Sequence, residues 1–331
     1  MSIFVYNDLK ISLFTIFVLI LPLIFLLNFL SISSISFGYD EYLFAQNWQR
    51  NNDMHRISEI HDVLATKDFV FVPDYENHSV KKFTKNGTFI LEWGEEGSNP
   101  GQFDTPHSMD VDSQGNVYVS DMNNKRIQKF DNNGSFIIEW GLPGRGAGEF
   151  LHPHGIAIDS NDNVYVADTE ISNIQKFNKD GQFIRKWGSE GSGQSQFGWI
   201  ENIDLDSKDN LYVADIPNDR IQKFTKDGDF ILEWGSRGDK NGEFEGPSGV
   251  SVDSSDNVYV IDDTGRIQKF TDNGVFITSW GSDGSEDGQF SKAEGLAVDP
   301  DGNVYVADTA NKRIQVFSPS GATITATEWL D

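Results

Sequence analysis

The sequence predicts an all-β fold, a six-bladed β-propeller, and three observations support this prediction. Tryptophans recur at a nearly constant spacing, at Trp93, Trp140, Trp187, Trp234, Trp280 and Trp329. A phenylalanine follows the same period, at Phe103, Phe150, Phe197, Phe244 and Phe290. A strand-like motif repeats between them as "NVYVSD", "NVYVAD", "NLYVAD", "NVYVID" and "NVYVAD". Short strands repeated every roughly 40 to 50 residues are typical of propeller blades.

Each repeat predicts four strands, and the copy that starts at Leu151 shows them in order. The first is "GIAID", an apolar run that indicates a strand buried on both faces. After the turn "SNDN" come "VYVAD", "IQKF" and "FIRKWG" as the second, third and fourth strands. The third and fourth are joined by "NKDG", and Asn-Gly or Asp-Gly in the equivalent turns supplies the positive φ that tight hairpins need. The loop "SEGSGQSQF" then leads to the next repeat.

The number of repeats is six. Five begin near Asp104, Leu151, Gly198, Glu245 and Ser291. A sixth, degenerate copy starts near Ile57 and keeps "FVFVPD", "SVKKF" and "FILEWG". We therefore assign residues 57–331 to the propeller.

Two segments can supply the outer strand of the last blade. One is "TITATEW", residues 323–329, and the other is "FAQNW", which ends at Trp48. A local hairpin costs less loop entropy than a long closure. We therefore predict that "TITATEW" completes the blade and that residues 38–56 form a stalk, with a closing strand as the alternative for 38–56.

The N-terminal residues 1–37 predict a membrane anchor or a signal peptide. Residues 11–30 carry no charge, and twenty apolar-rich residues match the bilayer core and exceed a usual signal-peptide core. One lysine precedes this segment and two acidic residues follow it, which favours a single-pass protein with the propeller outside the cell membrane. A cleaved signal and a secreted protein are the alternative. Three glycosylation sequons agree with export, at Asn77, Asn86 and Asn133.

The composition restricts the possible partners. The 331 residues include no cysteine, which excludes disulfides and a thiolate metal site. The net charge is −25, from 26 basic and 51 acidic residues. Such a surface repels phosphate backbones, which argues against nucleic acid as a partner. Solubility, or a salt-rich host, accounts for the acidity.

The repeat resembles a known family. The stretch "DGNVYVADTANKRIQVFSPSG", with W-G-x-x-G and G-x-F-x-x-P-x-G-I-A-x-D elsewhere, is similar to the NHL repeat, and the resemblance covers residues 57–331. It implies a six-bladed propeller. NHL propellers include RNA-binding domains of ubiquitin-ligase-like proteins, extracellular sensor domains of bacterial kinases, and peptidyl-hydroxyglycine amidating lyases, so the resemblance leaves the function open.

Residues shared by nearly all copies are predicted to be structural, because a catalytic residue is needed once and not six times. An aspartate ends the second strand at Asp74, Asp121, Asp168, Asp215, Asp262 and Asp308. An arginine opens the third strand at Arg126, Arg220, Arg266 and Arg313. We expect the aspartates to bond turn backbone and the arginines to pair with carboxylates between blades.

The copies differ at the position that enters the first strand. It holds, in blade order, His61, His107, His154, Glu201, Ser248 and Glu294. In a propeller these six residues, here called the mouth ring, converge at one end of the central channel. Five of them are metal-ligand types, so we predict a divalent metal, zinc or calcium, held among His61, His107, His154, Glu201 and Glu294. The alternative is that they are polar loop residues bonded to neighbouring carbonyls.

The resemblance to the amidating lyases also bears on the mouth ring. It implies zinc-binding histidines at blade entrances, and His61, His107 and His154 match that position. The lyase ligands come from alternate blades, whereas these three histidines lie on consecutive blades. The catalytic arginine and tyrosine of the lyases match no unique positions in this chain.

Three functions follow from the sequence. The first is a membrane-anchored binding module whose ligand, a protein, a glycan or a small molecule, contacts one face of the propeller. The second is a metal-dependent lyase or hydrolase that uses the mouth ring. The third is RNA binding, which the charge of −25 opposes.

Overall fold

The computed structural model describes residues 42–48 and 57–320, which all belong to the unit Asp40–Asp331. The segment 11–30 and the segment "TITATEW" lie outside these ranges. Within them, no helix has the length and apolar character needed to cross a membrane. The helical structure described is a short 3-10 turn, Ile216–Asn218.

The chain forms six four-stranded antiparallel sheets, and this confirms the prediction of an all-β, six-bladed propeller. Blade 1 contains β2 (Leu64–Ala65), β3 (Phe69–Asp74), β4 (Ser79–Thr84) and β5 (Phe89–Trp93). Blade 2 contains β6 (Pro106–Val111), β7 (Val117–Asp121), β8 (Arg126–Phe130) and β9 (Phe136–Trp140). Blade 3 contains β12 (Pro153–Ile158), β13 (Val164–Asp168), β14 (Asn173–Phe177) and β15 (Phe183–Trp187).

The other three blades have the same order from the channel outwards. Blade 4 contains β16 (Ile200–Leu205), β17 (Leu211–Asp215), β18 (Arg220–Phe224) and β19 (Phe230–Trp234). Blade 5 contains β20 (Pro247–Val252), β21 (Val258–Asp262), β22 (Ile267–Phe270) and β23 (Phe276–Trp280). Blade 6 contains β24 (Gly295–Val298), β25 (Val304–Asp308), β26 (Arg313–Pro319) and β1 (Tyr42–Trp48). A two-stranded parallel ladder, β10 (Leu142–Pro143) with β11 (Glu149–Phe150), lies between blades 2 and 3.

The strand that closes blade 6 comes from the N-terminal side of the chain. Strand β1 pairs antiparallel with β26 and occupies the outer position of the blade. The prediction that "TITATEW" completes this blade is therefore wrong. Within the segment 38–56, residues 42–48 form the closing strand that was the alternative to a stalk. The boundaries of the predicted segments 1–37, 38–56 and 57–331 stay predictions.

Aromatic packing explains why β1, and not a local hairpin, supplies the outer strand of blade 6. Tyr42 stacks on Trp280 of blade 5 with ring centroids 4.4 Å apart, and Trp48 lies 5.5 Å from Phe83 of blade 1. Strand β1 thus joins three blades. The entropy of closing a loop grows only slowly with its length, so such aromatic contacts outweigh the saving that a local hairpin offers.

The hydrophobic core consists of six clusters, one at each interface between neighbouring blades. The second strands supply much of it because they are buried on both faces, as in Val164–Asp168. The recurring phenylalanines Phe103, Phe150, Phe197, Phe244 and Phe290 are all fully buried. Burying one such side chain contributes about 1.5 to 3 kcal/mol.

The recurring Asp–Arg pair stabilises a blade and its incoming loop. Arg126 Nε donates to Asp121 Oδ2 at 2.7 Å within blade 2. Its guanidinium also donates to the backbone carbonyls of Ser98 and Gln102. Arg126 thus pairs within its blade and reaches the loop from the preceding blade through carbonyls. The expected carboxylate pairing between blades occurs at Arg313, which lies 3.7 Å from Asp287 in the loop that follows blade 5.

The predicted Asn-Gly hairpin turns place glycine where no side chain fits. Gly134 has φ +80°, and a Cβ atom there would lie 2.7 Å from Trp93 Cγ of the preceding blade. The turn glycine therefore allows the left-handed conformation and lets the tryptophan pack against the hairpin.

The first strands surround the channel. They contact each other from β6 through β12, β16, β20 and β24 to β2, and β3 completes the circle by contacting β6. Residues at equivalent positions of these strands are therefore brought together at the same depth of the channel.

Candidate functional site

All six residues of the mouth ring line one cavity of about 420 Å³, here called the mouth cavity. The structure thus brings together the five predicted metal ligands and Ser248. The cavity is also lined by Tyr75, Met122, His152, Trp199, Ile216 and Asp263.

A shared backbone irregularity aims four of the ring residues inward. The pairing of the first and second strands shifts register between Pro106 and Met109 in blade 2, and at the equivalent place in blades 3, 4 and 5. His107, His154, Glu201 and Ser248 lie within these shifts. Such bulges bend a strand and redirect a side chain, which positions these residues at the cavity floor.

Three of the predicted ligands form a compact group, here called the His–His–Glu cluster. One ligand atom each of His61, His107 and Glu201 lie within 4.8 Å of one another. His107 Nε2 is 3.0 Å from Glu201 Oε1. Two imidazoles and one carboxylate are a typical ligand set for zinc and related divalent ions.

Glu201 is held from both sides. Trp199 Nε1 donates to Glu201 Oε2 at 2.6 Å, while His107 contacts the other oxygen. Burial raises the pKa of Glu201, but the contacts with His107 and His154 outweigh it and hold that pKa well below its usual range. Burial, together with nearby His154, lowers the pKa of His107 to about 4. At neutral pH the carboxylate is therefore ionised and His107 is neutral, which are the forms that bind a metal.

Glu294 lies against His61 instead of joining the cluster. His61 Nδ1 contacts Glu294 Oε2, and His61 Nε2 lies 3.2 Å from Glu59 Oε1. Burial lowers the pKa of His61, but the hydrogen bond and charge of Glu294 outweigh it, so the net shift is upward. A carboxylate beside a ligating histidine commonly fixes its orientation, and Glu294 is placed for that role.

His154 has a buried imidazole with no hydrogen-bond partner on either nitrogen. His154 as a whole is 4% exposed. The centroid of its ring lies 4.1 Å from the ring centroid of His107 and 5.5 Å from that of Trp199. The Nδ1 atom is 3.4 Å from Glu201 Oε1, without the geometry of a hydrogen bond. A buried polar group left unpaired costs about 1 to 3 kcal/mol. A ligand in the mouth cavity would supply the missing partner.

The residues of the cavity wall were not predicted from the sequence. His152 and Trp199 lie two residues before mouth-ring positions, and Met122 and Ile216 follow the recurring second-strand aspartate. These positions also differ from copy to copy. The same comparison that found the mouth ring would have found them.

Three aspartates of the channel were also missed: Asp62 is buried, and Asp110 and Asp204 are partly buried. Asp62, Asp110 and Asp204 line a second cavity of about 180 Å³. Burial raises their pKa values to about 7, about 8 and about 6. Asp110 Oδ2 accepts from the backbone N–H of Ile158 at 2.7 Å, so it also joins blades 2 and 3. A charged residue inside an apolar strand, as in "SMDVD" and "NIDLD", was the available signal.

Comparison with family models confirms the resemblance found in the sequence. The NHL repeat model matches residues 290–317. A model described as a 6-bladed beta-propeller matches residues 112–174 and 160–225. The chain thus carries NHL-repeat sequence on a six-bladed propeller. No curated protein matches the chain.

Solved structures with similar folds include lyases. A streptogramin B lyase is 15% identical with a TM-score of 0.59, over 84% of this chain and 97% of that one. Virginiamycin B lyase from Staphylococcus aureus is 14% identical with a TM-score of 0.58, over 84% and 99%. A structural genomics protein of unknown function from Bacteroides thetaiotaomicron is 16% identical with a TM-score of 0.62, over 84% and 72%. At these identities the similarity shows the fold alone.

Proposed function

We propose that this NHL-repeat propeller is a binding protein whose mouth cavity holds a small ligand together with a divalent cation. The observation that carries the proposal is the His–His–Glu cluster at the floor of a cavity of about 420 Å³. A cavity of that size accommodates a small organic molecule.

The ligand types favour zinc over calcium. Calcium takes six to eight oxygen ligands, whereas imidazole nitrogens suit zinc and its neighbours in the transition series. His61 and His107 supply nitrogen and Glu201 supplies oxygen, which matches a zinc site with three protein ligands and room for one more. His154 lies beside the cluster and is available to the bound molecule.

The location is proposed from the sequence. The uncharged segment 11–30 supports a single-pass membrane protein with the propeller outside, and a secreted protein is the alternative. The net charge of −25 supports a ligand other than nucleic acid.

A metal-dependent lyase or hydrolase is the second candidate, and His154 is the observation that favours it. An unpaired imidazole next to a metal cluster is suited to accept a proton from a bound substrate. Lyases are among the proteins with a similar fold. In this reading His61, His107 and Glu201 hold the ion and His154 is the base.

Zinc titration of the full-length chain tests the proposal. We expect one zinc ion per chain, and at least a tenfold loss of affinity in His107→Ala and in Glu201→Gln. Glutamine keeps the size of Glu201 and an acceptor for Trp199 but removes the charge. His78→Asn is the matched control, because His78 lies outside the mouth cavity and its φ of 51° suits asparagine. Zinc binding that is absent, or equal in all four proteins, would contradict the proposal.

A further inference from the structure

The charged residues that line the mouth cavity are mostly acidic. Its twelve lining residues include neither lysine nor arginine, but three of them are acidic: Glu201, Asp263 and Glu294. Glu201 is committed to the His–His–Glu cluster. The remaining two carboxylates lie on blades 5 and 6, and Glu294 also contacts His61.

The wall next to Asp263 is apolar, because Ile216 and Asp263 both lie against Gly246. Trp199 and Ile216 lie together on blade 4, where the Ile216 amide donates to the Trp199 carbonyl at 3.1 Å. The indole N–H is fixed by Glu201, yet Trp199 is still 43% exposed. An exposed aromatic face held in one orientation is suited to pack against a flat apolar group.

Asp263 has no cationic partner among the described residues, whereas Glu294 contacts His61. Asp263 is solvent-exposed at the wall and makes none of the ion pairs found among the described residues. Partial burial and the neighbouring charges of Asp262 and Glu294 raise its pKa. A positive group placed there would relieve this repulsion, whereas a negative group would add to it.

We infer that the mouth cavity binds a small organic ammonium ion, with its apolar group against Trp199 and Ile216 and its cation facing Asp263 and Glu294. This inference refines the proposed function, since it names the ligand class of the same cavity. Carboxylates, phosphates and sulfates are excluded by the charge of Asp263 and Glu294.

Three probes of nearly equal size separate charge from shape: 2-phenylethylamine, 2-phenylethanol and phenylacetate. Their binding is measured by calorimetry on the full-length chain after treatment with a chelator, so that the result does not depend on the metal. We expect the amine to bind at least tenfold more tightly than phenylacetate, with the alcohol between them.

Two variants locate the cation. Asp263→Asn is expected to weaken the amine about threefold to tenfold and to leave the alcohol unchanged. Asp229→Asn removes the same charge from an exposed hairpin of blade 4 and is expected to change neither. Trp199→Ala is expected to weaken the amine and the alcohol alike.

The inference is overturned if phenylacetate binds as tightly as the amine, if no probe binds, or if Asp263→Asn leaves the amine unaffected. Zinc titration of the same preparation keeps the two proposals apart. Normal zinc binding without amine selectivity would reject the ligand class and leave the metal site standing.

Discussion

Asp62 and Asp110 of the channel predict that the protein is more stable at pH 6.5 than at pH 8. Burial raises the pKa of Asp110 to about 8 and that of Asp62 to about 7. Between pH 8 and 6.5 the native protein therefore binds more protons than the unfolded chain, in which these groups titrate near 3.8. Because the native state takes up the protons, the free energy of unfolding rises as the pH falls.

The magnitude follows from these shifts. Over this range Asp110 contributes about 1.7 kcal/mol and Asp62 about 0.8 kcal/mol. His107 opposes them by about 0.4 kcal/mol, since its pKa is lowered to about 4 and the unfolded chain takes up its proton. The raised pKa of His61 acts in the same direction as the aspartates. The net gain is about 2 kcal/mol, most of it from Asp110.

Urea denaturation followed by tryptophan fluorescence at the two pH values measures this difference. Asp110→Asn should remove most of the pH dependence. Asp204→Asn is the matched control: Asp204 occupies the same position in blade 4 and likewise accepts two backbone N–H groups at 2.7 Å. Its pKa of about 6 means that it barely titrates in this range, but its charge helps to raise the pKa of Asp110, so its variant should keep more of the pH dependence than Asp110→Asn does. Equal stability at both pH values, or equal behaviour of the two variants, would refute the reasoning.

Three further predictions concern closure, metal binding and location. Deleting residues 42–48 should expose the edge of β26 and cause aggregation on size-exclusion chromatography, while deleting 322–331 should not; the reverse result would reject closure by β1. As the pH is lowered, zinc affinity should begin to fall before pH 6.5 is reached, because a proton on His61, whose pKa is raised, competes with the metal; calorimetry that shows no loss down to pH 5.5 would contradict this. The full chain should resist alkaline carbonate extraction through residues 11–30, and recovery as a soluble protein cut near Ser36 would reject the anchor.

Repetition explains what the sequence could predict. Each copy places its variable residue at the same point, so His61, His107, His154, Glu201 and Glu294 had to converge once the blades formed a ring. Strand order and the hairpin turns were predictable for the same reason, since five copies carry the same local signals.

The rest depends on contacts between distant parts of the chain. Loop entropy favoured "TITATEW" as the closing strand, and only the packing of Tyr42 on Trp280 and of Trp48 on Phe83 shows why β1 takes that place. Likewise, spacing could not show that Glu294 pairs with His61, or that Trp199 fixes Glu201. These depend on side-chain distances across the channel.

The central claim is that the His–His–Glu cluster binds a divalent cation, and the most direct test is anomalous diffraction at the zinc edge from crystals grown with zinc. We predict one strong anomalous peak in the mouth cavity, about 2.0 to 2.2 Å from side-chain nitrogens of His61 and His107 and a carboxylate oxygen of Glu201. A mouth cavity without a peak, or a strong peak bound only by residues outside the mouth ring, would contradict the account.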